Sequence, residues 1–312
     1  MRFLSVCSGI EAASVAWEPL GWKAVAFSEI EEFQSAVLAA RFPDTPNLGD
    51  MTRYEQWPLE PGSIDLLVGG TPCQSFSILG NRGGMDDIRG QLAMSFGGIA
   101  KKLLPRWILW ENVVGVLSSD NGRDFLAFQR SLVELGYSIS YRVLDASGFG
   151  TSQKRRRVFL VGCLGSDWRS PAAVLLERGS LLGNTAKSRS TEQGDAGSLE
   201  ECIEQGGTAV SFQPGNLRRR AGASPSMRHF PTLLSNTGDQ APHIATDKFI
   251  RSLTCREWER LQGFPDNWTN IQVKGKEPAF TTRQAALGNS MCVQVMNWIG
   301  KRIAYVDAQK VR

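Results

Sequence analysis

The chain has 312 residues, 42% of them hydrophobic, and a formal net charge of +4. That is enough apolar material for one large core, or for a core with a smaller lobe, and no run of about 18 apolar residues is present to span a bilayer. Six cysteines (Cys7, Cys73, Cys163, Cys202, Cys255, Cys292) form no C-x-x-C pair, and the only histidines are His229 and His243, which argues against a zinc site, a disulfide framework or a Ser/His/Asp triad.

The opening MRFLSVCSGIEAAS lacks the basic head, long apolar middle and small-residue cleavage pattern of a signal peptide, so a cytoplasmic protein is the expectation. A mildly basic chain fits a nucleic-acid enzyme or an ordinary soluble protein equally well. Positive charge is concentrated at Lys154-Arg155-Arg156-Arg157 and at Arg218-Arg219-Arg220. A basic run is more often a solvated face than a binding site, and only context decides.

From residue 1 to about 162, short apolar runs alternate with helix-like segments. RFLSV, KAVAFSEI, IDLLVGG, WILWENV, YSISYRVLDA and RVFLVG read as strands. Residues 11–20, 31–41, roughly 90–104 and 121–136 read as amphipathic helices, the last starting at a capping signal, Asp120 or Asn121, and stopping at Gly136. Strand and helix in alternation imply an α/β fold with a doubly wound, mainly parallel sheet. From 163 to 250 this rhythm breaks into a Gly/Ser/Thr/Asn/Pro/Arg-rich stretch, expected to be a second, smaller irregular lobe with long loops. Regularity returns over 251–312, with a helix over RSLTCREWERLQGFP and another after GNS. The expected division is therefore 1–162, 163–250 and 251–312.

In doubly wound sheets ligands sit beyond the carboxyl ends of the strands, where Gly9, Glu29, Asp50, Cys73 and Glu111 all fall. Gly9 follows the first strand and opens the first helix, although the full G-x-G-x-x-G fingerprint is absent. Glu29 ends the second strand about 20 residues later, where an acidic side chain can hold the two hydroxyls of a ribose. Together they point to an adenosine-bearing cofactor without a pyrophosphate.

A lone free cysteine is usually buried and inert. Cys73 differs because it follows a strand, is stiffened by Pro72 and precedes small polar residues, as suits a presented thiolate. Glu111, in LWENVVG, ends an apolar strand where burial would raise its pKa and let it carry a proton at neutral pH. In isolation such a glutamate is more often a cap or a surface carboxylate. Arg155 and Arg157 alternate in SQKRRRVFLVG and should point to one side of an extended segment. A thiolate, a protonated glutamate, arginines and an adenosine cofactor suit one problem: carbon 5 of cytosine is a poor nucleophile until a thiolate adds to carbon 6.

On these residues the sequence resembles the DNA (cytosine-5)-methyltransferases, over almost the whole chain and in the family's order. GGTPCQSFS resembles the nucleophile loop, ENV the glutamate motif, QKRRR the Q-x-R-x-R motif, RSLTCREWERLQGFPD the segment after the recognition domain, and GNSM the closing motif. The resemblance implies a class I S-adenosylmethionine-dependent fold with Cys73 as nucleophile and Glu111 as the acid at the target base. It places Arg157 and Arg155 beside that base, and Gln153 completes their motif on the DNA side. It sets Glu29 on the cofactor ribose, Asp50 near the adenine amino group, Gly9 and Ile10 along the methionine side, Leu92 nearby, and Asn289 and Ser290 closing the pocket. It also implies that the C-terminal helix returns to the first domain. FPTLLSN resembles the Thr-Leu pair before base-reading loops, which makes Thr232 and Leu233 candidates. Where the family carries an aromatic-x-Gly-x-Gly turn this chain has Cys7-Ser8-Gly9-Ile10-Glu11, a departure that bears on cofactor affinity more than on chemistry.

The resemblance further implies double-stranded DNA as partner, clamped between two lobes, with Arg218, Arg219 and Arg220 on phosphates and the target cytosine flipped out of the stack. A monomer without metal or membrane, of bacterial or phage type and paired in some systems with a cognate restriction endonuclease, is the corresponding expectation. The rivals are an RNA cytosine methyltransferase, disfavoured by the sizeable recognition segment and the missing Cys-Phe-Thr signature, and a DNA-binding regulator that has lost catalysis. A nicotinamide oxidoreductase would explain Gly9 and Glu29 but leave Cys73 without a role.

Overall fold

The computed structural model describes residues 1–71, 88–176, 210–212, 230–231, 233, 243–245 and 250–310. Six strands build the main sheet: β1 (Arg2–Val6), β2 (Lys23–Ser28), β3 (Leu66–Gly69), β4 (Trp107–Val113), β5 (Tyr137–Asp145) and β6 (Arg156–Leu164). Their order is β2-β1-β3-β4-β6-β5. The pairs β1/β2, β1/β3 and β3/β4 are parallel, whereas β6 runs antiparallel to both β4 and β5. All six expected strands form, and the sheet is mainly parallel as anticipated.

The parallel pairs need helical crossovers. These are α1 (Ala12–Trp17), α2 (Glu32–Arg41) and α3 (Ile88–Leu103), while α4 (Arg123–Glu134) joins β4 to β5. Successive residues of a strand face opposite sides, and β4 shows the result. Trp107 and Leu109 join the core on one side of the sheet, while Ile108 and Trp110 join the core on the other. A strand buried on both faces must be apolar throughout, which is why these strands read as continuous runs and not as alternations.

α4 begins at Arg123, later than the expected start at Asp120 or Asn121, because Asp120, Asn121 and Gly122 all have left-handed backbones (φ 44, 54 and 84°) that no helix can include. β6 runs on to Leu164 and is followed by α5 (Arg169–Leu175), which packs against β5, so this layer extends past the expected boundary at 162. Beyond it, β7 (Val210–Phe212) and β8 (His243–Ala245), in the stretch expected to be irregular, form a small antiparallel sheet with β9 (Ile250–Ser252), whose Arg251 and Ser252 stand where a helix was expected to begin.

The C-terminal part contributes α6 (Cys255–Gln262), α7 (Phe280–Asn289) and α8 (Val293–Lys310). Thr254 and Glu257 make a reciprocal capping box at the start of α6, and Gly263 (φ 83°) ends it in the left-handed conformation. α7 was not foreseen. α8 packs on α1: the indole Nε1 of Trp17 donates to the Met296 carbonyl at 2.8 Å, and a Cβ at Gly300 would lie 2.3 Å from that nitrogen, so only glycine fits. Trp107 donates to Asp307 at 2.9 Å, which fastens the last helix to the central strand. The return of the C-terminus to the first layer is thus built from buried contacts.

Candidate active site

A cleft of about 580 Å³ opens at the rim where the parallel strands end. Gly9, Glu29, Asp50, Leu92, Glu111, Arg155, Arg157 and Asn289 line it, so eight of the residues singled out from the sequence converge on one space. Ser290 lines a smaller cavity of about 40 Å³ that shares Cys7, Gly9, Gly70, Glu111 and Asn289 with the cleft.

Topology explains the convergence. Because β6 runs against β4, its beginning lies beside the end of β4. The register pairs Val113 with Arg157 and Glu111 with Phe159. Glu111 and Arg157 are therefore diagonal neighbours on one face, within reach of long side chains. Arg157 Nε lies 3.3 Å from Glu111 Oε1. The Glu111 carboxyl is 8% exposed, and burial pushes its pKa up against the opposing pull of Arg157 and Arg155. A half-shielded acid that keeps its proton to higher pH than an ordinary glutamate is suited to donate to a ring nitrogen. A Cβ at Gly70 would stand 3.2 Å from Glu111 Oε2, so glycine leaves the space over this oxygen open.

At the other wall, Glu29 is pre-oriented. Its Oε2 accepts from the Gly9 N–H at 2.7 Å, and its Oε1 accepts from Ile30 and Glu31 N–H, each at 2.9 Å. Asn47 clips the same segment: its Oδ1 accepts from the N–H groups of Glu29 and Gly49, and its Nδ2 donates to the Glu29 carbonyl. Asp50 caps the following turn, accepting from the N–H and hydroxyl of Thr52 at 2.9 and 2.8 Å. In the turn itself Cys7 stands in the left-handed region (φ 48°) with its Sγ 3.4 Å from Met51 Sδ. Burial, with the charges of Glu29 and Asp50, pushes its thiol up to about 12, so it stays neutral. Cys73 lies outside the described residues. The described chain leading toward it ends at Thr71, which is held by two side chains of β4: Trp110 donates to its hydroxyl at 2.9 Å and Asn112 to its carbonyl at 2.8 Å.

Three expectations are corrected. Ile10 is wholly buried and does not line the cleft; its carbonyl accepts from the Trp268 indole at 2.9 Å, which turns it toward the C-terminal segment. Gln153 is wholly buried, so it presents no surface to DNA in this structure. Its amide nitrogen donates to the Leu261 carbonyl and to Gln262 Oε1 at 3.1 and 3.2 Å, and its oxygen accepts from Leu233 N–H at 3.3 Å. Leu233 is likewise wholly buried, with its N–H on Gln153 and its carbonyl on Arg155, so its side chain presents no surface to DNA in this structure. Thr232, Arg218, Arg219 and Arg220 lie outside the described residues.

Arg155 lines the cleft, but its guanidinium is only 3% exposed side chain and all, and it donates to three carbonyls: Leu233 (3.3 Å), Gly288 (3.0 Å) and Ser290 (2.7 Å). It is thus a clamp that holds the end of α7, and with it Asn289, against the cleft. Asn47, Thr71, Asn112 and Gln262 were not singled out from the sequence. Thr71, Asn112 and Gln262 stand inside quoted motifs, which was the available signal, but what each of them holds depends on partners distant in sequence.

The donor set fits an S-adenosyl ligand. The volume lies in the range of small-molecule sites, the Glu29 carboxylate is positioned by three backbone N–H groups for hydroxyl donors, and buried carboxyl oxygens at Glu11 and Glu111 lack an aligned hydrogen bond. Among the described residues no group of side chains is arranged to hold a metal ion, and no helix is long and apolar enough to cross a membrane.

Comparison with known proteins agrees with this geometry. The family model for C-5 cytosine-specific DNA methylase matches residues 1–195 and 181–305. The Type II methyltransferase M.DsaV of Dactylococcopsis salina is 31% identical, over 98% of this chain and 87% of its own length. A protein of Escherichia phage P1 described as a DNA N-6-adenine-methyltransferase is also 31% identical over 96% of this chain, which spans only 60% of that protein. A DNA modification methyltransferase from an Escherichia coli prophage shares the fold, with a TM-score of 0.63 at 20% identity and 99% of each chain covered.

Proposed function

The chain belongs to the C-5 cytosine-specific DNA methylase family, and from that premise we propose that it methylates carbon 5 of a cytosine flipped out of a specific duplex DNA sequence, through a covalent bond to Cys73. The observation that carries this reading is the Glu111–Arg157 pair, set by strand register at one end of a cleft whose other wall is organised around Glu29.

In the proposed reaction, the Cys73 thiolate attacks carbon 6 of the ring. The carbon–sulfur bond forms as the electron pair of the 5,6 double bond moves toward carbon 5. Glu111, whose pKa burial raises, donates in its protonated form to ring nitrogen 3 and stabilises the displaced charge. Arg157 holds Glu111 and supplies positive charge at the same edge of the base. S-adenosylmethionine, when bound, supplies an electrophilic methyl group. Its ribose hydroxyls would be held by Glu29, its adenine edge by Asp50 and its amino-acid end near Gly9, Asn289 and Ser290. Removal of the carbon 5 proton by a base, for which a water molecule suffices, returns the double bond, expels the Cys73 thiolate and lets ring nitrogen 3 give its proton back to Glu111.

An exocyclic adenine nitrogen is the alternative target raised by the name of the phage P1 relative. A nitrogen with its own lone pair needs no thiolate at carbon 6 and no acid at a ring nitrogen. The Glu111–Arg157 arrangement therefore favours the cytosine carbon. Of the second lobe, the described residues touch the rim at the Gln153–Phe230 bridge, where Phe230 exchanges backbone hydrogen bonds with Ser152 and Lys154. The basic segments would contact phosphates from there, and a Type II relative fits a role in restriction-modification.

The test is bisulfite sequencing of mixed-sequence duplex DNA after incubation with the protein and S-adenosylmethionine, with adenine methylation read in parallel. Protected cytosines in one recurring context are expected. N6-methyladenine without 5-methylcytosine would overturn the target, and methyl incorporation into tRNA alone would overturn the substrate.

A further inference from the structure

Glu11 occupies the position where the family's turn has its second glycine. Its backbone keeps the glycine-like conformation, with φ 65°, a region that side-chain-bearing residues rarely adopt. An unfavourable backbone held in place at a ligand cleft points to a use for the side chain.

The carboxylate is wholly buried. Its Oε1 accepts from the N–H and hydroxyl of Ser14 at 2.9 and 3.0 Å, while Oε2 accepts no well-aligned hydrogen bond, the Ser5 side chain being the other group that acts on the carboxylate. Among the described residues, no lysine or arginine forms an ion pair with it. A buried carboxylate oxygen without a donor is costly unless something else completes it. This one is not sealed in the core. Glu11 lines the cavity of about 40 Å³ that adjoins the main cleft and shares Gly9, Gly70 and Asn289 with it. A space of that size holds one small polar group. The ionisable groups that share this space or act on Glu11 are Cys7, which stays a thiol, Glu111, which is paired with Arg157, and Glu29. The field there calls for a cation.

We propose that the Glu11 carboxylate receives the cationic ammonium at the amino-acid end of the S-adenosyl ligand. This rests on the reading of the cleft as the S-adenosyl site and adds to it a contact that a glycine could not make.

Burial and the charge of Glu29, partly offset by Ser5 and Ser14, hold the Glu11 pKa at about 7. The ammonium requires the ionised form, so binding below that value releases a proton. Affinity then falls as pH drops, by about tenfold between pH 8 and pH 6.

The experiment is calorimetric titration of the full chain with S-adenosylhomocysteine and with 5′-methylthioadenosine, which lacks the amino-acid end, at pH 6 and 8 in two buffers of different ionisation enthalpy. For the wild type, S-adenosylhomocysteine should bind about tenfold more weakly at pH 6 with proton release, and methylthioadenosine should show neither effect. Glu11→Gln should weaken S-adenosylhomocysteine at pH 8 by about tenfold or more and flatten its pH dependence, leaving methylthioadenosine unchanged. Glu11→Gly, whose backbone accepts the left-handed turn, should behave the same way, so the test survives a folding defect in the glutamine variant. Equal losses for both ligands, or an unchanged affinity and pH slope for S-adenosylhomocysteine, would overturn the proposal. Failure of both ligands to bind wild-type protein would instead overturn the S-adenosyl site itself, and the proposal with it.

Discussion

Replacing Arg155 by methionine removes the clamp on the end of α7 while keeping most of the side-chain volume. Three charge-assisted hydrogen bonds, to Leu233, Gly288 and Ser290, are lost. At about 1.5–3 kcal/mol each they sum to about 5–9 kcal/mol. Against this, holding a guanidinium in the interior is unfavourable: burial, with the neighbouring Arg157, lowers the Arg155 pKa to about 10 from 12.5, an energy of about 3 kcal/mol that the substitution releases. The net destabilisation is about 2–6 kcal/mol, in line with the loss expected on breaking a buried ionic contact. Urea unfolding should show the midpoint falling with the slope unchanged. Arg155→Lys should recover less than half, since a single ammonium does not reproduce a planar fork. Because Asn289 follows directly on the clamped Gly288, S-adenosylhomocysteine should also bind more weakly to the methionine variant. A midpoint within about 0.5 kcal/mol of wild type would refute the clamp and return Arg155 to a direct role at the target base.

Cys73→Ser should bind S-adenosylhomocysteine normally and transfer no methyl group to duplex DNA; measurable turnover would exclude covalent catalysis through this residue. The protonated form of Glu111 is the donor and burial raises its pKa, so single-turnover methylation should fall as pH rises through that pKa. Glu111→Gln should lose this alkaline limb and run about 10²–10⁴ slower, and an unaltered pH profile in the variant would reassign the acid. Arg218→Ala combined with Arg219→Ala should weaken DNA binding and flatten its dependence on salt; an unchanged slope in a filter-binding series would make that cluster an ordinary solvated face.

The sheet was legible in the sequence because burial on both faces leaves strands such as WILWENV and RVFLVG no choice but to be apolar. The rim residues Glu29 and Glu111 were legible for a related reason: a charged residue late in an apolar run has to emerge where the strand ends, whereas Asp50 follows no strand and was reached through the GDM resemblance. α7 was not legible. Its buried side is made of Gln284, Ala286, Leu287 and Gly288, so no apolar period marks it. The roles of Ile10, Gln153 and Leu233 were also out of reach, because each is decided by a partner distant in the chain, Trp268 for the first and Gln262 or Arg155 for the others. A motif shows that a glutamine and two arginines belong together. It does not show which of them faces inward.

The same antiparallel strand that brings Arg157 to Glu111 also explains why one short motif can serve two ends of the molecule. Gln153 and Arg155 stand just before β6, where the chain enters the rim, and both bind the C-terminal segment, through Gln262 for the first and through Gly288 and Ser290 for the second. Arg157, two residues on, points at the acid in the cleft. Displacement of α7 would therefore be felt at Glu111 through the short backbone from Arg155 to Arg157, which couples the pocket wall formed by Asn289 to the arginine that holds the acid. Glu11 enters this arrangement at the turn after β1, next to Ile10, whose carbonyl is bound by Trp268 of the same C-terminal segment. The C-terminal segment is thus tied at Ile10, at Gln153 and at Arg155, which makes it a structural part of the cleft on both the cofactor and the base side.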